Sequence, residues 1–107
     1  MIRTLVVDEE AAEEAEAQAR YYTERGGESL SLRFVVELEA VYGGLSNGRL
    51  VGVNHPSVKF RQPVKRVFLD PFPFAVVFFI ENNVVTVVAL EAFRKRPRYW
   101  RKRLVGR

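Results

Sequence analysis

The chain has no cysteine and a single histidine, His55. The first absence removes disulfides, thiolate metal sites and a cysteine nucleophile together, and it suits a reducing compartment. The second leaves too few imidazoles for a multi-histidine metal site within one chain, or for a Ser-His or Cys-His site with one to spare. Long apolar runs are also missing. No stretch approaches the ~20 residues of a membrane span, and the opening MIRTLVVDEE turns acidic too soon for a signal peptide. The expectation is a cytoplasmic protein that needs no metal, cofactor or membrane.

Acidic residues are scarce in one part of the chain only. Residues 1–42 carry 4 basic and 10 acidic side chains, a net of −6, whereas residues 43–107 carry 13 basic and 3 acidic ones, a net of +10. The overall +4 conceals this polarity. Such a chain offers one acidic and one basic surface, and the basic one suits phosphates or an acidic partner. At 107 residues and 48% apolar content, residues 1–107 read as one domain with one modest core.

The segment 2–7 is a short β-rich run. Asp8 can cap a following helix, and Glu9 and Glu10 suit its first turn. That helix is expected to reach about Arg25 with Ala12, Ala15, Ala19 and Tyr22 as its buried stripe, and to end at Gly26-Gly27. A second helix is expected from Ser29 or Ser31 to about Tyr42, with Leu30, Phe34, Leu38, Val41 and Leu45 on one face and Gly43-Gly44 as its stop. The pair forms an αα-hairpin. Residues 45–57 read as a loop, into which the second helix could continue a turn or in which Leu50–Val53 could pair briefly. The period then becomes strand-like, with strands expected near 58–61, 64–69, 73–80 and 84–93. Asn82-Asn83 supplies a type I′ hairpin turn, Pro97 ends the ladder, and YWRKRL closes as one helical turn. The fold class is α+β: an N-terminal strand, an αα-hairpin, then a three- to four-stranded, mainly antiparallel sheet with the helices on one face.

FAVVFFI and VVTVVAL are apolar at successive positions, and adjacent strand residues point to opposite faces. The hairpin covers one face. The other, roughly 300–400 Å² by strand spacing and length, needs cover from the terminal segment and the 45–57 loop, from a second copy, or from a partner chain. The partner is the favoured expectation here.

The order of these pieces carries a resemblance. Tyr21-Tyr22 near the end of one helix, a second amphipathic helix, His55-Pro56, the run VKRVFLDPFPFAVVFFIENNVVTVVAL and the close RKRPRYWRKR together resemble the RelE/ParE superfamily of bacterial type II toxins. The likeness extends from Asp8 to Arg103 and looks nearer to the ParE-like branch. It implies a toxin associated with plasmid stabilisation and growth inhibition, bound by a small cognate antitoxin in a hetero-oligomer and directed at DNA gyrase. The alternatives within the resemblance are a RelE-like endoribonuclease acting on mRNA at the ribosome and a non-toxic, partner-binding relic of the fold.

For RNA cleavage, the resemblance assigns catalytic positions to Arg66, Arg94, Lys95 and Tyr99. Two expected cations are missing: Phe68 follows Arg66 on its side of the strand, and Phe74-Ala75 stands where the RNA-cleaving members have an aromatic followed by arginine. Loss of a cation that stabilises the transition state typically removes 2–3 orders of magnitude in rate, so the chain reads as a binding inhibitor rather than an enzyme. The expected partner-binding residues are Lys65, Arg66, Phe78, Arg94, Lys95, Arg98 and Trp100. Tyr99 and Trp100 should pin the closing segment onto the sheet, with Arg101 to Arg107 left as a frayed basic end. His55, alone before a proline, reads as a surface turn residue.

Overall fold

The computed structural model describes residues 2–56, 58–96 and 98–107. In chain order the elements are β1 (Thr4–Val7), α1 (Glu9–Ser46), β2 (Val53–Asn54), β3 (Lys65–Phe68), β4 (Phe74–Glu81) and β5 (Val84–Ala92), followed by a 3-10 turn (Arg101–Leu104). The five strands form one sheet in the order β1-β5-β4-β3-β2. β1 runs parallel to β5, and every other pairing is antiparallel. The expected α+β architecture is present: the N-terminal strand joins four later strands in one sheet, the short edge strand forming at Val53–Asn54 rather than over 58–61.

α1 is two helical arms joined at Gly27, whose φ of 83° and ψ of 173° leave the helical region. A side chain at that φ would be strained, so glycine sets the corner. The arms fold back on each other as the expected hairpin. Ser31 Oγ donates to the Ala19 carbonyl at 2.9 Å, and the Tyr22 and Phe34 rings meet edge-on at 5.3 Å. The second arm continues past Gly43-Gly44 to Ser46. Leu45 is fully buried there, so core contact outweighs the ~1 kcal/mol cost of a helical glycine. The buried stripe of the first arm begins at Ala11 rather than Ala12, one residue earlier than expected, and continues through Ala15, Ala19 and Tyr22. Asp8 stands at the N-cap position but makes no capping bond, because its carboxylate pairs with Arg107.

Asn82 and Asn83 both take positive φ, 52° and 63°, in the turn between β4 and β5. The short strand beside β3 is Val53–Asn54, which pairs with Arg66 and Lys65. No strand forms over 58–61, because that edge of β3 is already occupied at its N-terminal end. Val58 and Phe60 pack instead on the sheet. The role expected of Pro97 lies outside the described residues.

The two apolar faces have different covers. Phe74, Val76 and Phe78 of β4, with Val85, Val87, Leu90 and Ala92 of β5, face the helices. Val77 and Phe79, with Val88 and Ala89, face the chain's own closing segment, where Trp100 and Leu104 are buried. A bulge explains the change of parity along β5. Val77 pairs with Ala89 but Phe78 pairs with Val87, so Val88 is an extra residue in the strand. The partner expected on this face is therefore not needed for cover. The closing segment supplies it.

Nor is that segment frayed. Arg103 bonds Glu14 through both terminal nitrogens at 3.0 and 3.1 Å, and its Nε lies 3.1 Å from Glu10. Arg107 pairs with Asp8. The basic end of the chain is thus tied to the acidic start of α1, and the charge polarity of the sequence is partly neutralised within the molecule.

Candidate functional site

Glu91 is the one acid of β5, and it lies on the face covered by the closing segment. It is 5% exposed. The Trp100 indole N–H donates to Oε2 at 2.7 Å, the Arg98 backbone N–H reaches the same oxygen at 3.4 Å, and His55 Nε2 lies 3.0 Å from Oε1. The His55 and Trp100 rings meet edge-on at 5.0 Å. His55 reaches this place because its backbone N–H bonds the Val64 carbonyl at 2.8 Å, which carries the chain on from β2 alongside β3. The surface position expected for His55 is therefore corrected: it is buried and hydrogen-bonded. Burial pushes the Glu91 carboxyl up, but the donors from Trp100, His55 and the Arg98 backbone outweigh it and hold the pKa below the ordinary value.

Arg66 shares this face because it pairs in register with Val77. Its guanidinium lies 3.9 Å from Glu91 and 4.9 Å from the centre of the Phe68 ring. Its Nε is buried without a hydrogen-bond partner among the described residues. A cavity of about 250 Å³ opens here, lined by His55, Arg66, Glu91, Phe93, Lys95 and Arg98. Phe93 packs against Phe68 with ring centres 5.8 Å apart, and both are nearly half exposed. The cavity thus combines a held carboxylate, an imidazole, three cations and an aromatic wall. Both Glu91 oxygens already accept hydrogen bonds, so the carboxylate orients its donors and is poorly placed as a free base.

The other candidate residues are dispersed. Tyr99 turns away from the cavity: its hydroxyl donates to Glu14 at 2.6 Å and lies 3.1 Å from the Leu90 carbonyl. Burial first, and then the Glu14 carboxylate, push its pKa well above the ordinary tyrosine range. Arg94 lies against α1, with its guanidinium 5.8 Å from the Tyr21 ring. Arg94, Lys95 and Tyr99 line a recess of about 460 Å³ together with Glu10, Glu13 and Glu14. Lys65 pairs in register with Phe78, so it lies on the helical face of β3, opposite Arg66. Phe78 and Trp100 are both 0% exposed. Their expected role as partner contacts is corrected to one in the core.

The structure therefore brings Arg66, Lys95 and Arg98 together around one cavity, leaves Arg94 and Tyr99 outside it in the neighbouring recess that Lys95 also lines, and places Lys65 on the opposite face of the sheet. Glu91 and His55 were missed in the sequence. The signal for Glu91 was present: a lone acid inside a strand apolar on both faces needs a buried donor. No comparable local signal marks His55.

No protein-family model matches the chain, and no curated protein matches it in sequence. Among solved structures, its fold is similar to that of a chain in the chromosomal ParDE TA system from P. aeruginosa. The TM-score is 0.69 at 19% identity, over 85% of this chain and 96% of that one. It is also similar to the YoeB dimer from Staphylococcus aureus, with a TM-score of 0.54 at 13% identity, over 85% of this chain and 97% of that one. At these identities the likeness is one of fold. The chain has the ParE/RelE toxin-like fold.

Proposed function

We propose that this chain is the toxin of a bacterial type II toxin–antitoxin pair and belongs to its ParE-like branch. In this reading it inhibits DNA gyrase by binding and is neutralised by a small cognate antitoxin. The observation that carries the reading is at Ala75. The RNA-cleaving members are expected to hold an arginine there. Here Ala75 is fully buried, and its cross-strand neighbour is Glu91. A carboxylate beside the expected phosphate position would repel the transition state rather than stabilise it. The separation of Tyr99 from Arg66 supports the same reading, as does the greater likeness in fold to the ParDE chain than to YoeB.

A second reading, RelE-like cleavage of mRNA, draws on one observation: His55 and Glu91 stand together beside Arg66, Lys95 and Arg98 around a single cavity. Induction of the chain alone in a bacterial host separates the cases. The ParE-like reading expects arrested growth, an SOS response and intact RNA, with rescue by a co-expressed antitoxin. Primer extension showing new breaks inside translated codons would transfer the conclusion to the second reading. Unimpaired growth with soluble, folded protein would remove both.

A further inference from the structure

The second helical arm presents an apolar line to solvent as well as to the core. Leu30, Phe34, Leu38, Val41 and Leu45 pack inward. At 3.6 residues per turn, Leu32, Val36 and Gly43 fall within roughly 20° of the direction opposite Phe34. Leu32 is 62% exposed and Val36 56%, the two large apolar side chains of α1 that are more than half exposed. Gly43 is the unexplained residue of the line. A helical glycine weakens its helix, and the other glycines of α1 have internal reasons. A Cβ at Gly26 would lie 2.4 Å from Leu30, one at Gly44 would lie 2.6 Å from Leu50, and Gly27 takes positive φ. A Cβ at Gly43 would meet nothing within 4 Å. Nothing within the chain therefore requires a bare backbone there, whereas the close approach of a second helix does.

The charges beside this line are self-complementary. Arg33 and Glu37 stand one turn apart on one flank, where a cavity of about 220 Å³ opens between Leu32, Val36 and Pro71-Phe72. Among the described residues neither forms an ion pair. An antiparallel second copy, related by a two-fold axis level with Val35, sets Arg33 beside Glu37 of the other copy and Glu37 beside its Arg33. The same axis interleaves the apolar side chains: Leu32, then Val36 of the other copy, then Val36, then Leu32 of the other copy, at steps of about 3 Å. It also sets Gly43 level with Gly27 of the other copy, so both ends of the seam are free of side chains. One register thus accounts for the apolar residues, the charges and the glycine together. On the opposite flank, Glu39 comes within about one turn of Glu28 of the other copy, a repulsion that keeps the association weak.

We propose that the chain forms a two-fold dimer through this face, with a second copy of itself as the occupant. Packing over three turns covers roughly 800 Å² in total, the low end for a specific interface, so Kd should be about 10–100 μM. The test is sedimentation equilibrium of the full chain across about 5–500 μM, a range that brackets this Kd. Arg33→Glu and Glu37→Arg each place like charges opposite one another and should weaken association roughly 10-fold. An equimolar mixture of the two should restore it, because one copy then carries two acids where the other carries two bases. Repair within a single helix cannot produce that rescue. Gly43→Ala should raise the unfolding midpoint of the dilute monomer and still weaken the dimer, a split that a purely structural glycine would not show. Leu32→Gln/Val36→Gln should leave a folded monomer at every concentration, with far-ultraviolet circular dichroism as the check on folding. A parent chain that stays monomeric over this range leaves the face to a different partner and overturns the proposal. A dimer indifferent to all the seam variants, or a mixture that associates no better than either variant alone, overturns it too. The measurement involves neither gyrase nor RNA, so its outcome is separate from that of the toxin reading.

Discussion

Replacement of Glu91 by glutamine is the sharpest probe of the buried polar cluster. The change keeps the size of the side chain and removes its charge, so no cavity forms. The amide oxygen can still accept from Trp100 and the Arg98 backbone, and the amide nitrogen can face His55, whose ring can present either tautomer. What is lost is charge assistance in the bonds from Trp100 and His55, at 2.7 and 3.0 Å. Each such bond falls from about 1.5–3 to about 1 kcal/mol, so Glu91→Gln should cost about 1–3 kcal/mol and lower Tm by roughly 5–15 °C. Glu91→Ala also strands the indole and Arg98 N–H groups, and should cost about 3–5 kcal/mol. Urea unfolding followed by Trp100 fluorescence measures both.

The pH dependence fixes the sign. The folded Glu91 pKa lies below its ordinary 4.5. Its contribution is therefore present above pH 4.5 and is lost as pH falls through the folded value. The gap between wild type and Glu91→Gln should be widest near neutrality and close under acid. Equal stability at pH 7, or a gap that widens on acidification, would falsify this account of the cluster.

Four further outcomes follow from the packing. Gly52 has φ 69°, and a Cβ there would lie 2.9 Å from both the Arg66 carbonyl oxygen and the Phe78 ring, whereas a Cβ at Gly27 (φ 83°) meets nothing within 4 Å. Urea titrations should therefore show Gly52→Ala destabilising by about 2–4 kcal/mol, against about 1 kcal/mol for Gly27→Ala. Burial first, and then Glu14, push Tyr42 up to about 12, and Tyr99 is raised as well, so both phenols should stay protonated at pH 11 in an ultraviolet titration. Glu14→Gln should loosen the closing segment, read as faster amide exchange over residues 99–104, while exchange in β4 stays slow. Trp100→Ala should cost about 3–5 kcal/mol and expose the face of Val77 and Phe79, seen as increased binding of a hydrophobic dye.

Much of the fold was legible because its signals are local. The period-four apolar face of Leu30, Phe34, Leu38 and Val41 could only be a helix packed on something. Asn82-Asn83 could turn a hairpin because asparagine tolerates positive φ. The second helical arm takes the further turn that the sequence left open, because core contact at Leu45 overrides the local stop signal of Gly43-Gly44. The candidate site was less legible. Arg66, Lys95 and Arg98 were singled out and do meet, but Tyr99 and Arg94 face α1. No local pattern shows which side of a closing turn a residue takes once a proline and a left-handed arginine intervene.

Composition and period thus determined the element types, the hairpin, the two apolar faces of β4 and β5, and the separation of charge along the chain. Each depends on the spacing of residues close in sequence. Tertiary structure alone decided what covers the second face, because cover from a partner or from the chain itself leaves the same strand pattern. It also decided the fate of the closing arginines. Arg103 and Arg107 are spent on carboxylates at the start of α1, whereas Arg96, Arg98 and Arg101 line an open groove. These residues are chemically alike and adjacent in sequence. Only the long-range return of residues 98–107 onto β5 and α1 gives them different partners.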